Sequence, residues 1–431
     1  MITSVIGRIF LNAYNAREHT CYDAKRFFIE KYYPLFFDAE KYMQWVQNSP
    51  FVQMKKGQKV ETLSSEERHG KLRELICKIQ DGARDASVAI GYSASDDKGY
   101  ATTSGQVTNL NFEVSQDDVY LSWIGSSLGV GVQGGFCILF SNPQILLSIH
   151  DGWSLYRKAL NNNQKLKGNQ IASWNGKWLA HRYDGYTYDS EYPMADFEPF
   201  EKGADASMSV SVQSWTKILI NIALSVPEQN LMGYVYSFGQ TNTTIGFIPF
   251  ILSQIRCPID LYIKFFGMNG RRDAEDLYGT AFGFDKACQA GVIGIKALEP
   301  KGLRDYIEKG KLPKYNDNEK QTIKYHTYQI WIMAMLNNQD LWMSAEEFAR
   351  LLQVYSQSSI NAKTDKSNKV KALLSSSNKR DFIKNLTDIV PDISERTKVM
   401  ETAKKVNDMP TDNVPYFLTL IRFHYAANNN K

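Results

Sequence analysis

The chain has 431 residues, of which 43% are hydrophobic and 13% aromatic, with a formal net charge of +4 and a pI of about 8.5. This length exceeds what one hydrophobic core normally serves, so we expect two or three packed units. The weakly basic balance excludes a strongly cationic, free-standing nucleic-acid binder, and any polyanionic partner must meet a local cluster of positive charge.

The sequence matches none of the common patterns for a zinc site, a disulfide framework, a signal peptide or a membrane span. The 5 cysteines are odd in number and lie far apart, which argues against a zinc ribbon and against a secreted disulfide framework. The first residues lack a basic region followed by a long apolar run, so no signal peptide is predicted. No run approaches the roughly 18 to 20 apolar residues that span a bilayer. We therefore expect a soluble, cytoplasmic protein without a membrane partner.

The N-terminal part is predicted to be helical first and strand-rich afterwards. Residues 1 to about 85 form a helical lobe in this prediction, because aromatic positions from Phe27 to Trp45 recur every three to four residues. From about 86 to 140, short apolar stretches such as 119–124 are broken by Gly, Ser, Asn and Asp. That texture predicts strands joined by tight turns.

The rest of the chain is predicted to become steadily more helical. Asn142 and Pro143 start a helix that runs to about Leu160, residues 161–170 form a polar, basic connector, and 171–178 return to a turn-rich pattern. Strands and one buried helix near 218–224 are predicted between 207 and 267. Helical spacing dominates from about 296 onward, with helices near 322–336, 345–355, 379–389, 396–406 and 414–427.

These elements predict an α+β fold, with a mixed α/β N-terminal body over residues 1–290 and a C-terminal helical bundle over residues 291–431.

The glycine-rich segment Gly129–Gly134 matches the spacing of a dinucleotide-binding loop. Such a loop must be followed by a helix whose N-terminus receives the pyrophosphate. Here the next residues, 135–140, have the pattern of a strand, so we favour a glycine-rich turn and predict no cofactor. A backbone-lined loop that touches a nucleic-acid strand is a third possibility.

No recognisable catalytic motif is present. The sequence has neither a phosphate-loop motif nor a zinc-protease helix, and its 6 histidines are scattered without metal-ligand spacing. We therefore expect no enzyme activity, no catalytic residue and no metal site. One alternative stays open, because the acids between Asp184 and Lys202 resemble the metal site of a nuclease in composition.

Two basic regions suit a nucleic-acid partner. Between Lys165 and Tyr183, cations alternate with amides and aromatic rings, a mixture that can contact phosphates and bases. The alternative is a tryptophan-rich core hairpin with solvated lysines. Residues 363–405 carry an excess of positive charge that can follow a phosphate backbone, or that forms an ordinary solvated helical face.

The layout of the chain resembles the large subunit of type I CRISPR interference (Cascade) complexes. The resemblance rests on the order of parts and on several segments, and the Cys-rich zinc element of some members is absent. The segments are Thr103–Asn109, Ser122–Gly125, Gly168–Ile171, Tyr236–Asn242 and Phe417–Phe423.

This resemblance implies a non-catalytic role in antiviral defence. Such a subunit recognises the short motif (PAM) beside the target in duplex DNA, holds DNA, and recruits a separate helicase-nuclease. A guide RNA reads the sequence and other subunits complete the complex.

By residue type, the loop amides expected to contact base edges are Gln106, Asn109, Gln133, Asn169, Gln170, Gln240 and Asn242. The residues expected to contact phosphates are Lys165, Lys167, Lys177, Arg182, Lys379 and Arg380. The competing hypotheses are a metal-dependent, restriction-type nuclease and an interaction scaffold that binds no nucleic acid.

Overall fold

The computed structural model describes residues 1–47, 49–82, 86–88, 90, 113–237, 244–316, 318–358 and 363–429. The helices in chain order are α1 (Ile2–Glu18), α2 (Ala24–Phe27), α3 (Tyr33–Phe36), α4 (Ser65–Gly82), α5 (Gln116–Ser126), α6 (Pro143–Asp151), α7 (Trp153–Asn162), α8 (Ile171–Arg182), α9 (Trp215–Ser225), α10 (Leu252–Phe266), α11 (Arg271–Leu277), α12 (Phe284–Gln289), α13 (Arg304–Glu308), α14 (Glu319–Leu336), α15 (Asp340–Gln357), α16 (Lys363–Leu374), α17 (Lys379–Thr387), α18 (Arg396–Asp408) and α19 (Val414–Asn428). The strands are β1 (Val130–Val132), β2 (Phe136–Phe140), β3 (Phe200–Lys202), β4 (Met208–Val210), β5 (Asn230–Ser237) and β6 (Thr244–Ile251).

The chain forms two compact units. The first comprises Met1–Leu252 and Phe284–Val292, and the second comprises Ser253–Gly283 and Ile293–Lys431. The division therefore differs from a single boundary at residue 290. Helix α10 belongs to the second unit from Ser253 onward. It packs there through contacts such as that of the Phe266 ring, which stacks on His326 of α14 with ring centroids 3.6 Å apart.

The first unit contains the β-structure, and the predicted α+β class is confirmed. Within the described residues, an antiparallel sheet has the order β1-β2-β5-β6, and β3 pairs with β4 in a separate two-stranded ribbon. The register aligns Ile138 of β2 with Val130 on one side and with Val235 on the other. The glycine-rich segment is thus a β-hairpin, as favoured from the sequence, and a strand follows it.

Residues 119–124 are helical, so the strand prediction for them is wrong. Ser115 caps α5 by accepting a hydrogen bond from the Asp118 N–H at 3.1 Å. Every residue from Val119 to Ser126 is buried, so the segment has no polar face to show a helical period. A close approach to α1 explains this burial, because a Cβ on Gly125 would lie 1.9 Å from the Thr3 carbonyl oxygen.

The helix predicted from Asn142 to Leu160 is interrupted at Gly152. Asn142 caps α6 by accepting from the Ile145 N–H at 3.0 Å, as its position before Pro143 indicates. At Gly152 the indole of Trp178 leaves no room for a side chain, since a Cβ would lie 2.5 Å from its Cδ1. The chain therefore turns there and continues as α7.

The second unit is built from helices, and the helices predicted near 322–336 and 414–427 are confirmed as α14 and α19. Arg422 of α19 is buried without a carboxylate partner in the described part of the chain. Its guanidinium donates to the carbonyl oxygens of Leu374 and Ser376 at 2.6 Å and of Tyr306 at 2.8 Å. None of the described helices has both the length and the apolar character needed to cross a bilayer.

Two histidines of the second unit lie among aromatic rings. His326 stacks on Phe266, and His424 makes an edge contact with Trp342 at a centroid distance of 4.5 Å. Burial lowers the pKa of each imidazole to about 4. Both histidines are therefore neutral in the folded state at neutral pH.

These histidines predict a loss of stability in mild acid. The unfolded chain binds a proton at each histidine near pH 6.5, but the folded chain binds it only near pH 4. The free energy of unfolding therefore has its full value above about pH 6.5 and falls as the pH drops below that. We expect a loss of about 1–3 kcal/mol per histidine between about pH 7 and pH 4.5, measured by urea titration. His424→Phe should flatten this pH dependence, whereas the control Val354→Ser, at an exposed residue that does not titrate, should not. An unchanged slope for His424→Phe would contradict the assignment.

Candidate nucleic-acid groove

A groove of about 560 Å³ opens in the first unit, and we call it the amide groove. Three segments form most of its wall: residues 44–47, the β1–β2 hairpin at 131–136, and residues 169–173 at the start of α8. Its lining residues are Gln44, Trp45, Val46, Gln47, Val88, Ile90, Ser126, Gly131, Val132, Gln133, Gly134, Gly135, Phe136, Asn169, Gln170, Ile171, Ala172, Ser173 and Val212.

A contact between two backbones fixes the hairpin against α8. A Cβ on Gly176 would lie 2.2 Å from the Gly131 carbonyl oxygen, and a Cβ on Gly131 would lie 2.9 Å from the Ala172 carbonyl carbon. Only glycine at both positions lets strand and helix approach so closely. The contact sets the distance between two walls of the groove.

Buried hydrogen bonds hold residue Gln44 at the groove. The Gln44 amide oxygen accepts from the hydroxyls of Tyr32 at 2.8 Å and Ser127 at 2.6 Å, and its amide nitrogen donates to Ser126 at 3.0 Å. Burial raises the pKa of Tyr32 well above its usual value, so this hydroxyl stays protonated. The network keeps the Gln44 side chain in place rather than leaving it for a ligand.

The hairpin tip presents Gln133 to solvent. Its backbone N–H donates to the Gln213 carbonyl oxygen at 2.9 Å, which ties the tip to the chain before α9. Gly134 and Gly135 follow with φ of 96° and 79°, the left-handed conformation that a tight turn requires and that glycine accepts. The exposed Gln133 side chain therefore stands on a fixed backbone.

A partly buried lysine, supported by a buried arginine, orders the polar connector that precedes α8. The Lys41 ammonium donates to the carbonyl oxygens of Asn163, Gln164 and Leu166, each at 2.8 Å. Arg157 donates to the Lys41 carbonyl oxygen at 2.8 Å, and burial lowers the pKa of this guanidinium to about 10. Three connector carbonyls thus point at the Lys41 ammonium, and Arg157 binds the backbone of that lysine.

The connector ends at Asn169, whose side chain is exposed. Asn169 has a φ of 61°, and its N–H donates to the Tyr42 carbonyl oxygen at 2.8 Å. The next residue, Gln170, accepts a hydrogen bond from the Val210 N–H at 2.9 Å through its amide oxygen. Asn169 therefore offers its amide to the groove, whereas the amide oxygen of Gln170 has a structural partner.

The described lining of the groove contains amides, hydroxyls, glycines and apolar groups but no charged side chain. The indole of Trp45 is 49% exposed, which is unusual for a ring of this size. Positive charge lies next to the groove in the connector, where Lys165 and Lys167 are exposed. This arrangement suits a neutral, planar, hydrogen-bonding group with a negative charge nearby.

The structure brings only some of the predicted residues together. Gln133, Asn169 and Gln170 line the amide groove. Lys165 and Lys167 lie just before Asn169 in the chain. The predicted amides Gln106, Asn109, Gln240 and Asn242 lie outside the described residues.

The remaining predicted cations lie outside the lining. Lys177 and Arg182 are partly buried on α8, and Arg182 lies over the Tyr188 ring at 4.4 Å. In the second unit, Lys379 donates to the carbonyl oxygens of Asn407 at 2.6 Å and Met409 at 3.1 Å. Lys379 therefore binds the end of α18, while its neighbour Arg380 is exposed.

The aromatic rings predicted to stack on bases between 165 and 183 are core residues instead. Residues 171–182 form a helix rather than turns, and Trp174, Trp178 and Tyr183 are buried. The indoles of Trp174 and Trp178 donate to the carbonyl oxygens of Gly152 and Ser148. The core interpretation is confirmed, although the element is a helix.

Trp45 is the residue that sequence reasoning missed. Its spacing from earlier aromatics assigned it to a helix face, but it lies outside any helix and is half exposed. The available signal was its immediate context, because Gln44 and Gln47 surround it with amides.

The acids between Asp184 and Lys202 make local contacts. Asp184 accepts from the Tyr186 N–H at 3.0 Å, and Asp189 accepts from the Glu191 N–H at 2.8 Å. In the part of the chain that the structure describes, which includes this whole segment, no three His, Cys, Asp or Glu side chains converge as a potential metal site.

Comparison of the chain with protein-family models, with curated proteins and with solved structures finds no match.

The glycine contact predicts that Gly176→Ala opens the groove. The added methyl group would overlap the Gly131 carbonyl oxygen, so hairpin and helix must separate, with a loss of about 1–3 kcal/mol in the free energy of unfolding. Gly185→Ala is the control, because nothing lies within 4 Å of the added Cβ there. Equal unfolding midpoints for the two variants in denaturant titrations would contradict the contact.

Proposed function

We propose that this chain is a non-catalytic nucleic-acid-binding protein and that bases enter the amide groove. The supporting observation is the combination of the half-exposed Trp45 with exposed amides at Gln47, Gln133 and Asn169 in a lining without charge. An indole stacks on any base and contributes about 1–3 kcal/mol per base. Amides donate and accept at once, as base edges require.

Phosphates are expected outside the groove. A nucleic-acid strand has uncharged bases and a charged backbone, so a neutral groove beside exposed lysines matches both parts of the polymer. Lys165 and Lys167 supply exposed positive charge just before the lining residue Asn169 in the chain.

We propose further that the chain acts as the large subunit of a CRISPR RNA-guided complex, which recognises the motif flanking its DNA target, holds DNA and recruits a separate helicase-nuclease. This assignment rests on the resemblance in layout. It requires surfaces that bind other subunits, and the β5–β6 hairpin offers one. No charged residue occurs from Gln229 to Ile255, and Met232 and Phe247 are 43% and 59% exposed. Exposed aromatic and Met side chains are typical of protein interfaces.

Trp45 is the first residue to test for binding. The purified chain should bind labelled single-stranded or duplex DNA with an affinity that falls as salt rises. Trp45→Ala should weaken binding about 5- to 100-fold, because a stacked base loses its platform. The control is Tyr192→Ala, which removes a 67% exposed ring outside the groove.

Three results would contradict the proposal. Equal binding by Trp45→Ala and the wild type would exclude the groove, and the absence of any binding at low salt would favour a scaffold. Magnesium-dependent cleavage of the DNA would favour the nuclease hypothesis.

The assembly proposal predicts specific partners. A tagged chain purified from its own cells should carry a guide RNA and several other proteins. Phe247→Ser should reduce the recovery of those proteins, because an apolar anchor is lost, whereas Val354→Ser, at a 49% exposed residue of α15, should not. Purification of the chain alone, without RNA or protein, would contradict the CRISPR assignment.

A further inference from the structure

Asp205 forms an ion pair with Lys167, one of the two exposed lysines in the connector before the groove residue Asn169. The Lys167 ammonium lies 3.5 Å from the Asp205 carboxylate, and the two side chains are 55% and 66% exposed. Asp205 belongs to the turn between β3 and β4, so this ion pair joins the polar connector to the β3–β4 ribbon.

The backbone holds the two charges opposite each other. The Lys167 N–H donates to the Met208 carbonyl oxygen, and the Met208 N–H donates to the Lys165 carbonyl oxygen, both at 2.8 Å. The Asp205 carboxylate accepts from the Ser207 N–H at 3.1 Å and from the Ser207 hydroxyl. These bonds lower the pKa of the Asp205 carboxyl group, which supports a charged acid at this position.

Lys167 is within reach of a strand whose base lies in the amide groove. Its Cα is two residues from that of Asn169 in the groove wall, a separation of at most about 7 Å. A phosphate beside a base near Asn169 would therefore compete with Asp205 for the same ammonium. The ionised Asp205 would also repel that phosphate, with little screening over so short a distance.

We propose that Asp205 is an electrostatic gate on phosphate binding: Lys167 exchanges the Asp205 carboxylate for a backbone phosphate when a strand enters the groove. This inference rests on the proposed function. An exposed ion pair is weak, so the exchange costs little and the gate tunes affinity without blocking it. Asp205 thereby lowers the affinity for phosphate in general. Polyanions that place no base in the groove then bind less, because they have no other contact to compensate.

Asp205→Asn tests the gate. Asparagine keeps the side-chain oxygen that accepts the Ser207 N–H but removes the charge. With a labelled short single strand as the probe, we expect about 2- to 10-fold tighter binding at low salt. The plot of log affinity against log salt should steepen by no more than about 0.7, the value for one phosphate of a single strand, because Lys167 contacts that phosphate in a larger fraction of the complexes and the strand releases more counterions.

Two further variants separate the gate from a general effect of charge. Glu191→Gln removes one exposed acid of the same unit that has no contact with Lys167, and its affinity should remain close to that of the wild type. In the Lys167→Ala background, Asp205→Asn should give a much smaller gain, as a double-mutant cycle measures.

The outcomes distinguish the gate from the proposed function. Nucleic-acid binding that Asp205→Asn leaves unchanged, or strengthens equally with and without Lys167, overturns the gate alone. The same gain from Glu191→Gln also overturns it. If neither the folded wild type nor Asp205→Asn binds the probe, the proposed function fails and the gate fails with it.

Discussion

The amide groove depends on the approach of two backbones at Gly131 and Gly176. Side-chain packing between a hairpin and a helix adapts when one side chain changes its rotamer, but a contact between main-chain atoms cannot adapt in this way. The glycine contact therefore fixes the hairpin wall of the groove relative to the α8 wall. Gln133 stands on one side of this contact and Asn169 precedes the helix on the other, so the contact sets the spacing of the backbone positions that carry their amides.

Several cations of this protein serve as donors to carbonyl oxygens. Lys41 in the first unit and Arg422 in the second each bind three backbone carbonyls, and Lys71 binds those of Pro50 and Gln53. Hydrogen bonds from charged groups are stronger than neutral ones and order irregular segments. A charge count along the sequence therefore overstates the positive surface that a polyanion meets, and Lys379 is one predicted contact with such a structural role.

The sequence predicts what local chemistry determines. Asn142 and Pro143 start a helix, and the glycines after Val130 make a hairpin, because caps and turns act within a few residues. Helices α5 and α8 are missed because burial on nearly every side removes the amphipathic period that reveals a helix. Gln133 and Asn169, chosen by residue type as candidate base contacts, line the same groove. The burial of Trp174 and the exposure of Trp45 follow from tertiary packing, which spacing along the chain does not encode.

The position of charge at this site favours a polymer over a small metabolite. A small anionic ligand is held best when its charge sits inside the pocket against a cation, since water is excluded there. In the amide groove the described lining is neutral, and the nearby exposed lysines lie outside it, one of them beside Asp205. Under the proposed function, stacking and amide contacts would act on the base, while attraction to phosphate would act at the solvent boundary, where salt screens it. A ligand uses both sets of contacts only if it carries a planar base and a phosphate at a fixed spacing. Every nucleotide of a nucleic-acid strand has this property.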